Sequence, residues 1–146
     1  WFHAMGITVG HLGDSRLYRL RGAAFSRLTR DHSLVQEEID QGLIDPKSAP
    51  FSWNKHLITR ALGIDAAVEP EVHDFDLAAG DCYLLCTDGL FDRMTDEEIG
   101  TILLANRFDL DRAADGLILQ SLARGGRDNV TIVLVDVGAC DPEGAV

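Results

Sequence analysis

Three aspartates carry the chemistry that this sequence could perform. Asp14 stands in Gly13-Asp14-Ser15-Arg16, Asp88 in Thr87-Asp88-Gly89, and Asp128 in Gly125-Gly126-Arg127-Asp128-Asn129, each beside a strongly apolar run. A carboxylate at the mouth of a core strand costs several kcal/mol to bury unless it is paired or binds a cation. The plainer reading of any one of them is a turn aspartate that bonds its own backbone beside a permissive glycine. Three such settings in one chain would make a shared cation site only if the fold gathers them. Hard divalent ions such as Mg²⁺ and Mn²⁺ take carboxylate oxygen and water, and no Cys/His spacing here suits zinc. The aspartates lie 74 and 40 positions apart (14 to 88, 88 to 128). Spacing alone leaves open whether the fold gathers them.

The elements that must position them are legible in the apolar pattern. Cys82 to Thr87, bounded by Gly80-Asp81, is too short and too apolar for a typical helix and reads as a buried strand. Strands are also expected at 7–12, 16–21 and 24–28, joined by tight turns at Gly13-Asp14 and Gly22, which argues for an antiparallel meander. Val68 to Phe75 is a further strand candidate, weakened by Pro70 and so placed near an edge. Val130 to Val137 is the last strand, apolar on both faces. Helices are expected at 34–41, 96–104 and 110–123. Ser33 with Gln36 and Thr95 with Glu98 fit capping boxes, Gly42 fits a C-terminal stop, and Asp109 fits an N-cap. In the third helix Leu110, Ala113, Leu117, Ile118 and Leu122 form the inward stripe. Leu43 to Lys55, with Pro46, Pro50 and Trp53, reads as a surface excursion. His56 to Gly63 reads as a short helix.

With 146 residues and 46% hydrophobic content, the chain supports one domain with a real core and not two. No stretch approaches the roughly 20 apolar residues of a membrane span, and the first residues lack the pattern of a secretory signal. Three cysteines give no disulfide framework and suit a reducing cytoplasm. A formal charge of −11 argues against nucleic acid as a partner. An acidic protein can still handle phosphate when a metal ion supplies the positive charge.

Five motifs occur in order: Gly13-Asp14-Ser15-Arg16, Leu28-Thr29-Arg30-Asp31-His32-Ser33, Ile58-Thr59-Arg60-Ala61-Leu62-Gly63, Thr87-Asp88-Gly89-Leu90-Phe91-Asp92 and Gly126-Arg127-Asp128-Asn129-Val130-Thr131. In order and rough spacing they resemble the metal-dependent serine/threonine protein phosphatases of the PPM (PP2C-type) family, in a bacterial wording. The resemblance runs from about residue 7 to residue 137. It implies an α+β fold, an antiparallel β-sandwich flanked by helices. It also implies a partial phosphatase domain over residues 1–137, followed by a disordered tail over 138–146. Carried over by position, Asp88 and Asp128 match ligands of the first catalytic metal. Asp88 and Asp14 match those of a third, more weakly held ion. Arg16 and Asn129 match motif positions that are not ligands. Residues 33–55 match a flap beside the site that is associated with substrate choice.

The family also carries an early acidic residue, an Asp-Gly-x-Gly-Gly motif and a phosphate-gripping arginine, and this sequence contains none of them. The chain therefore resembles the C-terminal portion of such a domain, with the N-terminal part of the fold missing and apolar sheet surface and a strand edge left exposed. No catalytic group is expected in it beyond the metal ligands. What is implied for an intact protein is hydrolysis of phosphoserine and phosphothreonine by a water activated between two Mn²⁺ or Mg²⁺ ions, with a third ion in some members. The implied substrates are phosphoproteins of a bacterial serine/threonine kinase in the cytoplasm. The alternative is a catalytically inactive regulatory or interaction module. His11, His32 and His56 read as structural, Cys82 and Cys86 as core packing, and Asp92, Asp96, Glu97 and Glu98 as charge suited to a helix start.

Overall fold

The computed structural model describes residues 1–64 and 67–138. Its strands are β1 (Phe2–His3), β2 (Gly6–His11), β3 (Arg16–Arg21), β4 (Ala24–Arg27), β5 (Glu71–Phe75), β6 (Cys82–Cys86) and β7 (Ile132–Asp136). Its helices are α1 (Leu34–Asp40), α2 (Asp88–Phe91), α3 (Asp96–Ala105) and α4 (Leu110–Ala123), with a 3₁₀ turn at Pro46–Phe51. The strands form two antiparallel sheets, one ordered β1-β2-β5 and the other β4-β3-β6-β7. The α+β expectation holds, and β5 lies at an edge as Pro70 suggested.

The period of two along β6 divides the core in two. Cys82, Leu84 and Cys86 face α3 and α4, where they join Tyr18, Leu20, Leu90, Met94, Ile99, Leu103, Ala113 and Leu117. Tyr83 faces the other way and meets Ile7 and Leu17, with Val9, Phe75 and Val135 around them, so the sheets pack on each other through this smaller cluster. The mixed faces of β3 follow from the same split. Tyr18 and Leu20 serve the helix side, while Arg19 and Arg21 reach Asp76, the residue that follows β5 of the other sheet. At the outer strand β7 the register pair Leu85 and Val133 is 43% and 50% exposed. That is the exposed apolar sheet surface the sequence led us to expect.

Caps follow the sequence closely. Thr95 and Glu98 form a complete capping box, and Asp109 accepts the Arg112 N–H. Ser33 accepts the Gln36 N–H, but the Gln36 side chain turns to Asp40 and Arg27, so that box is only half made. Gly42 follows α1 with φ +70°, the left-handed conformation that ends a helix.

Three expectations need correction. His56 to Gly63 is not a helix: Leu57, Ile58 and Leu62 are exposed, so no apolar stripe would be buried by coiling. Its backbone pairs instead with the segment before α1, through Leu34 N–H to Leu57 O (2.9 Å) and Thr59 N–H to His32 O (2.8 Å). In α4 the buried line is Ala113, Leu117 and Ser121, at intervals of four, and Leu122 is 53% exposed. The last strand starts at Ile132 rather than Val130, because the backbone before it is held by Thr87. The tail expected over 138–146 lies, from residue 139 on, outside the described residues. No helix among the described residues is long and apolar enough to cross a membrane.

Candidate metal centre

Asp14 sits in the turn between β2 and β3, half-buried, after Gly13 at φ +99°. Asp88 is the first residue of α2, half-buried, immediately beyond the end of β6. Asp128 is exposed in the loop leading to β7. The three therefore lie at strand ends of the four-stranded sheet, near its Arg16–Cys86–Ile132 rung.

Thr87 and Gly89 explain how the loop of Asp128 is brought beside Asp88. Thr87 N–H donates to Thr131 O (3.1 Å), its hydroxyl donates to Asn129 O (3.3 Å), and that hydroxyl accepts the Thr131 N–H (3.1 Å). A Cβ on Gly89 would stand 2.3 Å from Asn129 O, so only glycine admits this approach. From the other side the buried Ser121 hydroxyl donates to Gly89 O at 2.8 Å. The Thr-Asp-Gly sequence is thus a packing requirement for joining the two aspartate segments.

Electrostatics tie Asp14 to the same place. Its carboxyl is raised above the ordinary value, first by burial and next by the negative charge of Asp88, with Asp31 adding to it; its own backbone N–H and Arg16 pull the other way. Asp88 uses one oxygen to accept the Gly89 N–H (2.9 Å), and Asp128 uses one for the Asn129 N–H (2.7 Å). Among the described residues none of the three pairs with a Lys, Arg or His within 4.0 Å. Arg16, two residues after Asp14, is committed elsewhere. It grips Asp31 with Nε (3.0 and 3.1 Å) and Nη2 (2.6 Å), donates to the Tyr18 hydroxyl, and lies 3.7 Å from the Phe91 ring centre. Carboxylates of like charge with uncommitted oxygens and no protein cation form a donor set that fits a hard divalent ion. The three do not close into a single tight clamp: among the described residues, the group whose ligand atoms all lie within 4.8 Å of one another is His11, His32 and Glu71.

Residues 50–138 match the family model described as stage II sporulation protein E (SpoIIE). The chain belongs to this PP2C-type (PPM) family. Among curated relatives, the serine/threonine protein phosphatase PstP of Mycobacterium tuberculosis is 43% identical over 128 residues, covering 87% of this chain and 24% of that protein. The crystal structure of the M. tuberculosis serine/threonine phosphatase PstP/Ppp aligns with a TM-score of 0.89 at 38% identity, covering 94% of this chain and 57% of that one. The PstP catalytic domain solved in complex with two manganese ions aligns with a TM-score of 0.80 at 39% identity, covering 94% and 56%. The chain therefore spans little more than half the length of these solved relatives.

Other polar residues of the PP2C-type chain serve other ends. Asn129 contributes its backbone to the Thr87 contacts. His56 has a side chain 61% exposed, with Nδ1 3.8 Å from Asp92, and Lys55 approaches the same carboxylate at 3.4 Å. His11 and His32 are buried and bonded to backbone. Burial pushes the Cys86 thiol up to about 12 and raises Cys82 as well, so both are inert core sulfurs rather than nucleophiles. Glu98 belongs to the start of α3, where Arg124 and the Thr95 N–H hold its carboxyl down to about 2. Glu71 was not singled out from sequence. It is the register partner of His11 across β2 and β5, a neighbour 60 positions away with no local signal.

Proposed function

We propose that this chain is part of a metal-dependent protein serine/threonine phosphatase, with Asp88, Asp128 and Asp14 among its metal ligands. The observation that carries the reading is the set of three aspartates without a protein cation at one end of the sheet, two of them coupled by charge. Mn²⁺ or Mg²⁺ is the ion class that suits an all-oxygen set, and the manganese complex of the PstP domain supports that choice. When bound, such ions supply an activated water and offset the charge that develops on the phosphoryl group. This chain's own residues do the holding: Thr87, Gly89 and Ser121 fix the Asp88 and Asp128 segments, and Arg16 with Asp31 braces the base of β3.

The substrates proposed are phosphoserine and phosphothreonine proteins of a bacterial serine/threonine kinase, supported by the names and organisms of the relatives. Two free, buried cysteines are consistent with a cytoplasmic setting. Residues 1–137 are proposed as one partial domain and 138–146 as its tail. Because the sequence contains no Asp-Gly-x-Gly-Gly, the full ligand set is proposed to need residues outside it.

The test is an assay on a phosphothreonine peptide with Mn²⁺, using the 146-residue chain and a version that includes any coding sequence upstream of Trp1. The extended protein should turn over and the chain alone should not. Asp88→Asn in the extended protein should lower the rate at least about a hundredfold, since even outer-shell changes cost 10–100-fold. An extended protein inert with Mn²⁺ and Mg²⁺ would favour a non-catalytic module.

A further inference from the structure

The cluster of His11, His32 and Glu71 has the composition of a transition-metal site, and its hydrogen bonds argue against one. Gly13 N–H donates to His32 Nδ1 at 3.1 Å. That nitrogen must therefore offer its lone pair, and in the neutral ring the proton sits on Nε2. His32 Nε2 lies 3.6 Å from Glu71 Oε1 and has no partner within hydrogen-bond distance. His11 Nε2 lies 2.8 Å from Ser15 O, and a carbonyl only accepts, so His11 also carries its proton on Nε2 and leaves Nδ1 bare and buried. A metal could take His11 Nδ1 and Glu71. It could take His32 Nε2 only by displacing that proton onto Nδ1 and breaking the bond from Gly13.

These bonds grip one object from two sides. Gly13, Asp14 and Ser15 form the turn between β2 and β3. His32 takes the N–H that precedes Asp14, and His11 gives its N–H to the carbonyl that follows it. The backbone adds a third tie, His32 N–H to Gly13 O at 2.8 Å. His32 is in turn anchored by Thr59 N–H on its own carbonyl, and the two rings lie 4.9 Å apart centre to centre. We propose that His11 and His32 are positioning residues, a pair of imidazoles that clamp the turn carrying Asp14 and so set where its carboxylate stands relative to Asp88. His32 is 2% exposed and His11 9%, and the burial of His32 holds it below the ordinary histidine range, with His11 and Arg60 adding to the effect and Glu71 opposing it. The role given to Asp14 rests on the metal reading above; the clamp itself does not.

Asparagine places an acceptor where Nδ1 was, and glutamine places an amide donor where Nε2 was. The clamp therefore predicts a crossed rescue. In His32→Asn and His11→Gln, hydrogen exchange at the Gly13 amide stays within about threefold of the parent chain. In His32→Gln it rises at least about tenfold, the loss of that amide's own buried hydrogen bond, and in His11→Asn, which frees the Ser15 end of the same turn, it rises more than about threefold. Broadening of the Asp14 resonance by substoichiometric Mn²⁺ follows the same pattern. Equal behaviour of Asn and Gln at both positions overturns the clamp and leaves ring volume as the explanation. If the variants do not fold, long-range ¹H–¹⁵N correlation on the unmodified chain decides. Both rings protonated at Nε2 and bare at Nδ1 support the clamp. A bare Nε2 on either ring, or Zn²⁺ bound through His32 Nε2, overturns it. Asp14→Asn, which leaves both imidazole bonds in place, separates the two readings. Should it leave Mn²⁺ broadening around Asp88 unchanged, the metal role of Asp14 fails while the exchange pattern still decides the clamp.

Discussion

Arg16 and Arg21 mark the two ends of β3, and the aspartates at those ends are treated in opposite ways. At the Arg21 end Asp81 is fully buried and fully matched. Arg21 grips both of its oxygens at 2.7 Å, the Ala78 N–H donates at 2.9 Å and the Tyr83 hydroxyl at 3.1 Å. Its carboxyl is held below the ordinary range, chiefly by Arg21 and against its burial. At the Arg16 end the arginine is spent on Asp31, while among the described residues Asp14 and Asp88 make no ion pair, and burial and then the charge of Asp88 raise the Asp14 carboxyl. A carboxylate kept for structure is matched within the fold. On the metal reading proposed above, the pair left unmatched at this strand end is kept for charge that the protein does not itself supply.

The largest effect that tests this contrast is on stability at the matched end. Asp81→Asn removes the buried anion that Arg21 grips with two bonds, leaving it only the exposed Asp76, and should lower unfolding free energy by about 3 kcal/mol, read by urea denaturation. The equivalent Asp14→Asn should lower it not at all. A comparable loss in both would erase the distinction.

An intermediate effect concerns the join between the Asp88 and Asp128 segments. Gly89 lies in α2 without a positive φ, so helix preference alone would make alanine better by about 1 kcal/mol. The 2.3 Å approach of Asn129 O reverses the sign, and Gly89→Ala should destabilise by about 1–3 kcal/mol. A stabilised variant would show that the segments are not held as described.

The smallest effect is in the pH dependence, where the two ends have opposite signs. Asp81 has a folded value below the unfolded 3.8, so its contribution is present above that pH and is lost as pH falls through the folded value. Asp14 has a folded value above 3.8, so its contribution is present below 3.8 and is lost as pH rises through the folded value. Asp14→Asn should therefore gain stability at pH 6, and that gain should vanish below pH 3.8. Asp81→Asn should flatten the acid limb of the parent's stability curve. Urea melts at several pH values distinguish these outcomes.

Much of this was legible in the sequence because it was written locally. The buried strand from Cys82 to Cys86, the capping residues Thr95 and Asp109 and the stop at Gly42 each depend on a few neighbouring positions. The aspartates were legible because each stands at a break in an apolar run. What stayed hidden depends on distant partners. Gly89 reads as a turn glycine until Asn129 is placed against it. Ser121 looks polar and surface-bound until the Gly89 carbonyl needs a donor. Glu71 acquires its neighbours from the register of β2 with β5. His56 to Gly63 had local order without a face to bury, and its backbone paired with His32 and Leu34 instead.

We propose that a divalent ion binds at the unmatched end of β3 and not across the acidic surface at large. Paramagnetic broadening of amide resonances by substoichiometric Mn²⁺ tests it most directly, because it locates even weak binding. Selective broadening is expected around Asp14, Asp88 and Asp128, reduced by Asp88→Asn and unaffected by Asp81→Asn. Broadening centred on the exposed acidic first turn of α3, at Asp96 and Glu97, with Asp14 and Asp88 unaffected, would contradict it.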